Sequence, residues 1–271
     1  MKQLRVLNPN LPDYGARGFC ALAVMTKAPQ AGRVKTRLVP PLTQEEAAEL
    51  NKCFLRDTVA AISTACSRRP MGDSGKMDLK PDAPASHSEA GTRACGIAVY
   101  TPIGAASTYI DILPADFSLL PQRGDKFGER LYFAIEDLFK CGFESVCLID
   151  SDSPTVPAEN FAKAVELLDT REDRVVLGPS DDGGYYLIGV KKPHRHLFEQ
   201  IDWSTERVLK QTIQRATEFG LEAKLLPPGY DVDDAGSLQR LSTELLVDTT
   251  PTDIAPNTRE FLVMLVTRKE L

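Results

Sequence analysis

The sequence predicts an α/β fold, a mainly parallel mixed sheet with helices on both faces. Two observations carry this. Short apolar runs alternate along the chain with longer segments of helical periodicity. The 271 residues are 42% hydrophobic and 26% charged, the balance of a globular domain that can bury its own core.

Residues 1–18 are polar and broken by Pro9, Pro12, Gly15 and Gly18, and read as a leader outside the core. Residues 19–25 form an apolar run that reads as the first buried strand. Thr43-Gln-Glu-Glu46 offers a capping box, and Ala47, Leu50, Phe54, Ala61 and Ala65 share one face of a helix running to about Cys66. Residues 67–95 contain no Val, Ile, Phe, Tyr or Trp and read as a disordered surface insertion, with a partner-binding segment as the alternative. A strand follows at 96–101 and a helix at about 128–141, where Leu131, Ile135 and Leu138 share a face and Gly142 supplies the stop. Then come a strand at 144–149, a helix at 157–169, strands at 174–178 and 185–190, a helix at 205–219 and a strand at 222–226.

Composition excludes several functions. Asp plus Glu exceed Lys plus Arg, for a net charge of −6, which argues against a dedicated nucleic-acid binder. The six cysteines show no CxxC spacing and there are three histidines, so a zinc site has little support; the cysteines read as reduced thiols of a cytoplasmic protein. The first apolar run is far shorter than the roughly 20 residues a membrane span needs.

In an open parallel sheet, ligands bind beyond the carboxyl ends of the strands, so the loops after Met25, Ile149 and Leu226 are the places to look for chemistry. The first, Thr26 to Arg37, holds Lys27, Arg33, Lys35 and Arg37, with Gly32 among them and no acidic residue. It is either a solvated basic loop or a polyphosphate cradle, but not a Walker A loop, because the GxxxxGK spacing is missing. In Asp150-Ser151-Asp152-Ser153-Pro154, an extended chain would point Asp150 and Asp152 into one space, suited to Mg²⁺ or Mn²⁺; the competing reading is a helix cap or turn. Asp181-Asp182-Gly183-Gly184-Tyr185 is a turn, or a backbone that a ligand approaches closely. Tyr230-Asp231-Val232-Asp233-Asp234 alternates carboxylates again, with Asp234 a candidate N-cap. Trp203 is either core packing or the wall of a substrate pocket.

Six motifs stand in a distinctive order: Lys27-x-Pro29-x-x-Gly32-x-x-Lys35-Thr36-Arg37-Leu38, Gln122-x-Gly124-Asp125-x-x-Gly128-x-Arg130, Asp150 to Pro154, Asp182-Gly183-Gly184-Tyr185-Tyr186, Trp203-Ser204-Thr205 and Asp231-Val232-Asp233. This order resembles a largely uncharacterised family of glycosyltransferase-like proteins in the nucleotide-diphospho-sugar transferase superfamily, whose fold is GT-A, a single Rossmann-like domain. The resemblance covers about residues 19–242, and Ala255 to Arg259 looks like the family's C-terminal tail. It gives one domain over 19–247, between the leader and a tail at 248–271. The chain departs from the pattern where the more usual Gly-Thr-Asp-Cys-Pro reads Asp150 to Pro154, and where Asp181 replaces a common Glu.

The resemblance implies a transferase using a nucleotide or nucleotide-sugar donor and Mg²⁺ or Mn²⁺. Lys27, Gly32, Lys35, Thr36, Arg37, Gly124, Asp125 and Arg130 would bind the nucleotide and its phosphates. Asp152, Asp150 and Asp233 would hold the metal; Asp152, Asp182 and Asp181 would serve catalysis; Gly183, Gly184, Tyr185 and Trp203 would meet substrate. Glycosyl transfer to a small-molecule acceptor is the first expectation. Nucleotidyl transfer with release of pyrophosphate is the alternative, and a non-catalytic nucleotide-binding module the rival of another class.

Overall fold

The computed structural model describes residues 4–11, 16–67, 93–247 and 251–269. Its strands are β1 (Arg5–Val6), β2 (Cys20–Lys27), β3 (Ala94–Thr101), β4 (Ser118–Pro121), β5 (Ser145–Ile149), β6 (Arg174–Pro179), β7 (Tyr185–Val190) and β8 (Glu222–Leu225). Its helices are α1 (Gln44–Ser67), α2 (Phe127–Lys140), α3 (Ala158–Leu168), α4 (Val208–Glu218), α5 (Ala235–Leu246) and α6 (Pro256–Lys269).

The strands form one mixed sheet in the order β1-β4-β3-β2-β5-β7-β6-β8. All neighbours are parallel except β7, which runs against both β5 and β6. Alternate residues of β2 face opposite layers: Cys20, Leu22 and Val24 meet α1 and α3, while Ala21 and Ala23 meet α2 and α4. Both faces of the central strands are therefore covered, which is why they read as continuous apolar runs.

Local signals explain the helix ends. The Thr43 hydroxyl accepts from Glu46 N at 3.1 Å, and the Glu46 carboxylate accepts from Thr43 N at 2.8 Å, closing the capping box that starts α1. At the end of α2, Gly142 turns the chain with φ +97°.

Two expectations change. The leader is not outside the core: Leu4, Leu7 and Ala16 are buried, and Arg5–Val6 pairs with β4 as an edge strand. A run of two paired residues is too short to leave a period in the sequence. The C-terminal tail is a packed helix: Phe261, Leu262 and Leu265 of α6 are buried in a third apolar cluster with Leu50 and Phe54 of α1 and Leu241 and Leu245 of α5. The expected insertion at 67–95 lies mostly outside the described residues, with its edges, Ser67 in α1 and Ala94 and Cys95 in β3, belonging to regular elements.

Candidate functional site

Two adjoining cavities open at the carboxyl ends of β2 and β5 and beside the start of β7. The smaller, about 240 Å³, is lined by Lys27, Arg33, Lys35, Thr36 and Arg37, together with Asn51, Ser151, Asp152 and Asp233. The larger, about 620 Å³, shares Arg37, Asp152 and Asp233 with it. Its polar walls are Asp150, Asp182, Glu206 and Asp231, and Phe127, Tyr185 and Trp203 supply the apolar side. The structure thus brings all four cations of the first loop onto one cavity.

The loop is shaped by its backbone and anchored by its end. Gly32 has φ +71° and Lys35 φ +48°, the left-handed region that a lysine rarely adopts, and the next turn seats Leu38 in the third apolar cluster. This turns the Lys35 side chain inward, where it is 5% exposed. Its ammonium lies 3.0 Å from Asp152 Oδ2 and donates to Asp233 Oδ1 and the Val232 carbonyl, each at 2.8 Å. An ammonium carries three N–H donors, and these three oxygens engage all of them. Arg37 completes the cluster by pairing with the other oxygen of Asp233.

Burial pulls the Lys35 ammonium toward losing its proton, but Asp152 and Asp233 outweigh that and hold its pKa above the usual lysine value. Burial pushes Asp233 upward, yet Lys35 and Arg37 bring it below the usual carboxylate range. Asp150 stands well above that range, from burial first and then the charges of Asp152 and Asp231. Asp231 is also raised, by burial and then by Asp182 and Asp233. Asp150 is positioned by Ser153, whose hydroxyl donates to Oδ2 at 2.7 Å, and by its own N–H, which donates to the Tyr186 carbonyl at 2.9 Å. The Asp152 carbonyl accepts from Val232 N at 3.0 Å, clipping the two acidic segments together.

The other expected residues divide. Asp182 lines the larger cavity while its carboxylate accepts from Gly184 N at 2.8 Å, so the turn reading and a place in the site hold together. Asp181 points away, paired at 2.7 Å with Arg240. Gly184, Tyr185 and Trp203 line the larger cavity. Gly183, at φ +87°, admits the chain's own backbone: a Cβ there would lie 2.3 Å from the Glu206 carbonyl oxygen. Gly124, Asp125 and Arg130 line neither cavity. Arg130 closes its own loop, donating to the carbonyls of Gly124 at 3.2 Å and Asp125 at 3.1 Å. Asp234 is the N-cap of α5, accepting from Ser237 N at 2.8 Å.

Among the described residues, no three His, Cys, Asp or Glu side chains form a preassembled metal cluster. Asp150, Asp152 and Asp233, expected as ligands, surround one cavity, but the Lys35 ammonium lies between two of them. Their oxygen chemistry nevertheless suits Mg²⁺ or Mn²⁺. Residues outside the expected set that line the site include Asn51, Phe127 and Asp231. The alternation of acids at 231 and 233 signals Asp231, whereas nothing in the local spacing of α1 singles out Asn51.

This sheet order, with the site at the strand ends, is the fold of the nucleotide-diphospho-sugar transferases, enzymes of the transferase class. Residues 90–205 match the profile of a family described as an uncharacterized protein conserved in bacteria (DUF2064). The chain is similar to a Desulfovibrio desulfuricans G20 protein described as a "putative nucleotide-diphospho-sugar transferase", with 25% identity and TM-score 0.70, over 92% of this chain and 98% of that one. It shares its fold with a 4-diphosphocytidyl-2C-methyl-D-erythritol synthase from Anaerococcus prevotii DSM 20548, at 12% identity and TM-score 0.51, over 86% of this chain and 98% of that one. No curated protein matches.

Proposed function

We propose that the protein is a divalent-metal-dependent glycosyltransferase, taking a nucleotide-sugar donor and transferring the sugar to a small-molecule hydroxyl. One observation carries this reading: a cavity walled by Lys27, Arg33, Lys35 and Arg37 shares Arg37, Asp152 and Asp233 with a larger cavity that has carboxylate and aromatic walls. The first suits a diphosphate and the second the sugar and its acceptor. Asp152, with Asp233 and Asp150, would hold Mg²⁺ or Mn²⁺, whose charge would offset that of the diphosphate.

In the reaction, the acceptor oxygen forms a bond to the anomeric carbon as the bond from that carbon to the diphosphate oxygen breaks. The electron pair leaves with the nucleoside diphosphate, and the acceptor proton passes to a carboxylate. We assign that task in an inverting reaction to Asp182, which lines the larger cavity, rather than to Asp181, which pairs with Arg240. The basic loop stabilises the charge that grows on the leaving group.

A second reading, nucleotidyl transfer, draws on the same loop: four cations are enough to hold a departing pyrophosphate. There a substrate phosphate would attack the α-phosphorus, and positioning would matter more than a base. All six cysteines are free thiols, and no helix among the described residues is long and apolar enough to cross a membrane. The test is incubation of the purified protein with Mg²⁺ or Mn²⁺ and a panel of nucleotides, nucleotide-sugars and acceptors, measuring nucleoside diphosphate, pyrophosphate and free sugar. Nucleoside diphosphate release supports the first reading and pyrophosphate release the second. Nucleotide binding with no release from any donor would leave a non-catalytic module.

A further inference from the structure

The two cavities carry opposite charge, and that division bears on the acceptor. The smaller has four basic residues against Asp152 and Asp233. The larger is lined by six acidic residues, Asp150, Asp152, Asp182, Glu206, Asp231 and Asp233, and Arg37 is the single basic residue lining it. Arg37 already pairs with Asp233. Asp152 and Asp233 are paired with Lys35 and Arg37, and burial raises Asp150 well above the carboxylate range, so the negative field of the larger cavity rests on Asp182, Glu206 and Asp231. Among the described residues, Asp182 and Asp231 raise this field with no basic partner at hydrogen-bond distance: one accepts from the Gly184 backbone and the other from the Ser180 hydroxyl at 3.3 Å.

The same cavity also has aromatic lining, from Phe127, Tyr185 and Trp203. Trp203 meets Phe127 edge to face, with ring centroids 5.1 Å apart. It is seated on Gly128, where a Cβ would come within 2.7 Å of the indole Nε1. The indole is half-buried, so part of it faces the cavity.

Building on the transferase reading, we infer that the acceptor is a hydroxyl compound without phosphate or carboxylate, favoured when it carries an amine, and stacked on Trp203. A low-dielectric cleft lined by one sign of charge concentrates ligands of the opposite sign and repels its own. An ammonium group gains from Asp182 and Asp231 and, when it stacks on Trp203, from the indole as well. A phosphate ester would enter a field that Arg37, already paired with Asp233, offsets only in part. The inference also bears on the second reading as stated above, because a substrate phosphate attacking the α-phosphorus would have to enter this negative cavity.

Trp203 is the only tryptophan of the chain, and it lines both this cavity and a neighbouring one beside Lys126 and Arg195, so the carboxylate variants below are what assign an emission change to this cavity. The experiment measures collisional quenching by caesium and by iodide in the full-length protein, with N-acetyltryptophanamide as reference at equal ionic strength. Caesium should quench several-fold more efficiently than iodide relative to the reference. The Asp182→Asn/Asp231→Asn protein should lose most of that bias, which separates the cavity's field from the net charge of the molecule. The same emission then follows titration with glucosamine, glucose and glucose 6-phosphate in the presence of Mg²⁺ and nucleotide. Half-saturation at roughly tenfold lower concentration for glucosamine than for glucose 6-phosphate supports the inference. A quenching ratio equal to the reference, or tighter binding of the phosphate ester, overturns it. Failure of nucleotide to bind the basic cavity would instead overturn the transferase reading and leave the quenching ratio unchanged.

Discussion

Replacing Lys35 by Met tests how the site is held together before any ligand arrives. The ammonium sits 3.0 Å from Asp152 and 2.8 Å from Asp233. At 3 Å each attraction is worth about 1.4 kcal/mol with the dielectric of water and about 5.5 kcal/mol at an effective dielectric near 20, before desolvation is subtracted. The carboxylates are a third exposed and the lysine is not, so the lower half of that range applies, and burial of the ammonium offsets part of it. Met fills the space but leaves the Val232 carbonyl without its donor and two like charges facing each other. A net loss of about 2 kcal/mol follows, or a Tm lower by roughly 4–8 °C for a chain of this size.

The same change should act in opposite directions on two ligands. Without the ammonium, Asp152 and Asp233 repel, and a divalent cation relieves them, so Mg²⁺ alone should raise Tm more in Lys35→Met than in the parent. Nucleoside di- and triphosphates should weaken by about 1.5–3 kcal/mol, roughly 10- to 150-fold in Kd, while the bare nucleoside binds as before. Differential scanning calorimetry with each ligand, and titration calorimetry for Kd, read both effects. An Mg²⁺ shift no larger than the parent's, or equal losses for nucleoside and nucleotide, would refute the placing of Lys35 between carboxylates and phosphate.

Three further changes probe other parts of the argument. Asp152→Asn should abolish the metal-dependent part of the nucleotide-induced rise in Tm, about 2.7 kcal/mol of stabilisation at a hundredfold excess over Kd; unchanged metal dependence would remove Asp152 from the proposed metal set. Gly128→Ala forces a methyl to 2.7 Å from Trp203 Nε1 and 2.8 Å from the Phe198 carbonyl oxygen, and should destabilise by about 1–3 kcal/mol while shifting tryptophan emission; unchanged emission would count against the Trp203 seat. Asp57→Ala removes an acceptor of four bonds of 2.6–3.0 Å from Asn257 and Thr258 at the start of α6, and should cost about 2–4 kcal/mol and make 251–269 sensitive to protease; a resistant C-terminus would show that apolar packing alone holds α6.

What the sequence made legible was what lies close together along the chain. The α/β alternation gave β2, α1, β3, α2, β5, α3, β6, β7, α4 and β8 within a few residues, because each carries its own period and its own stop. The basic loop was visible because four like charges within eleven residues are a local fact, and the structure gathers them on one cavity. The contact of Lys35 with Asp233 was not legible, since 198 residues separate them and no periodicity links a loop to a distant acid. Arg130, expected at the nucleotide, lines neither cavity, and its guanidinium donates to carbonyls five and six residues away. Asp181 and Asp182 are neighbours in sequence with opposite fates, because adjacent side chains in a turn point different ways and Arg240 takes one of them.

The C-terminal helices α5 and α6 bear on the site through the third apolar cluster. Leu38 follows the basic loop directly, and Val232 lies between Asp231 and Asp233; both are fully buried in that cluster with side chains of α1, α5 and α6. The loop and the acidic segment therefore share one anchor, and the spacing of Lys35 from Asp233 depends on how well that anchor is packed. Asp57 fixes the start of α6 to α1 some distance from any ligand, yet it belongs to the same support. If the anchor works in this way, Asp57→Ala should weaken nucleotide binding as well as stability, and the loss should persist at temperatures where the protein remains folded. Nucleotide Kd measured well below the variant's Tm decides the matter: an affinity equal to the parent's would mean that the loop and the acidic segment keep their register without α6.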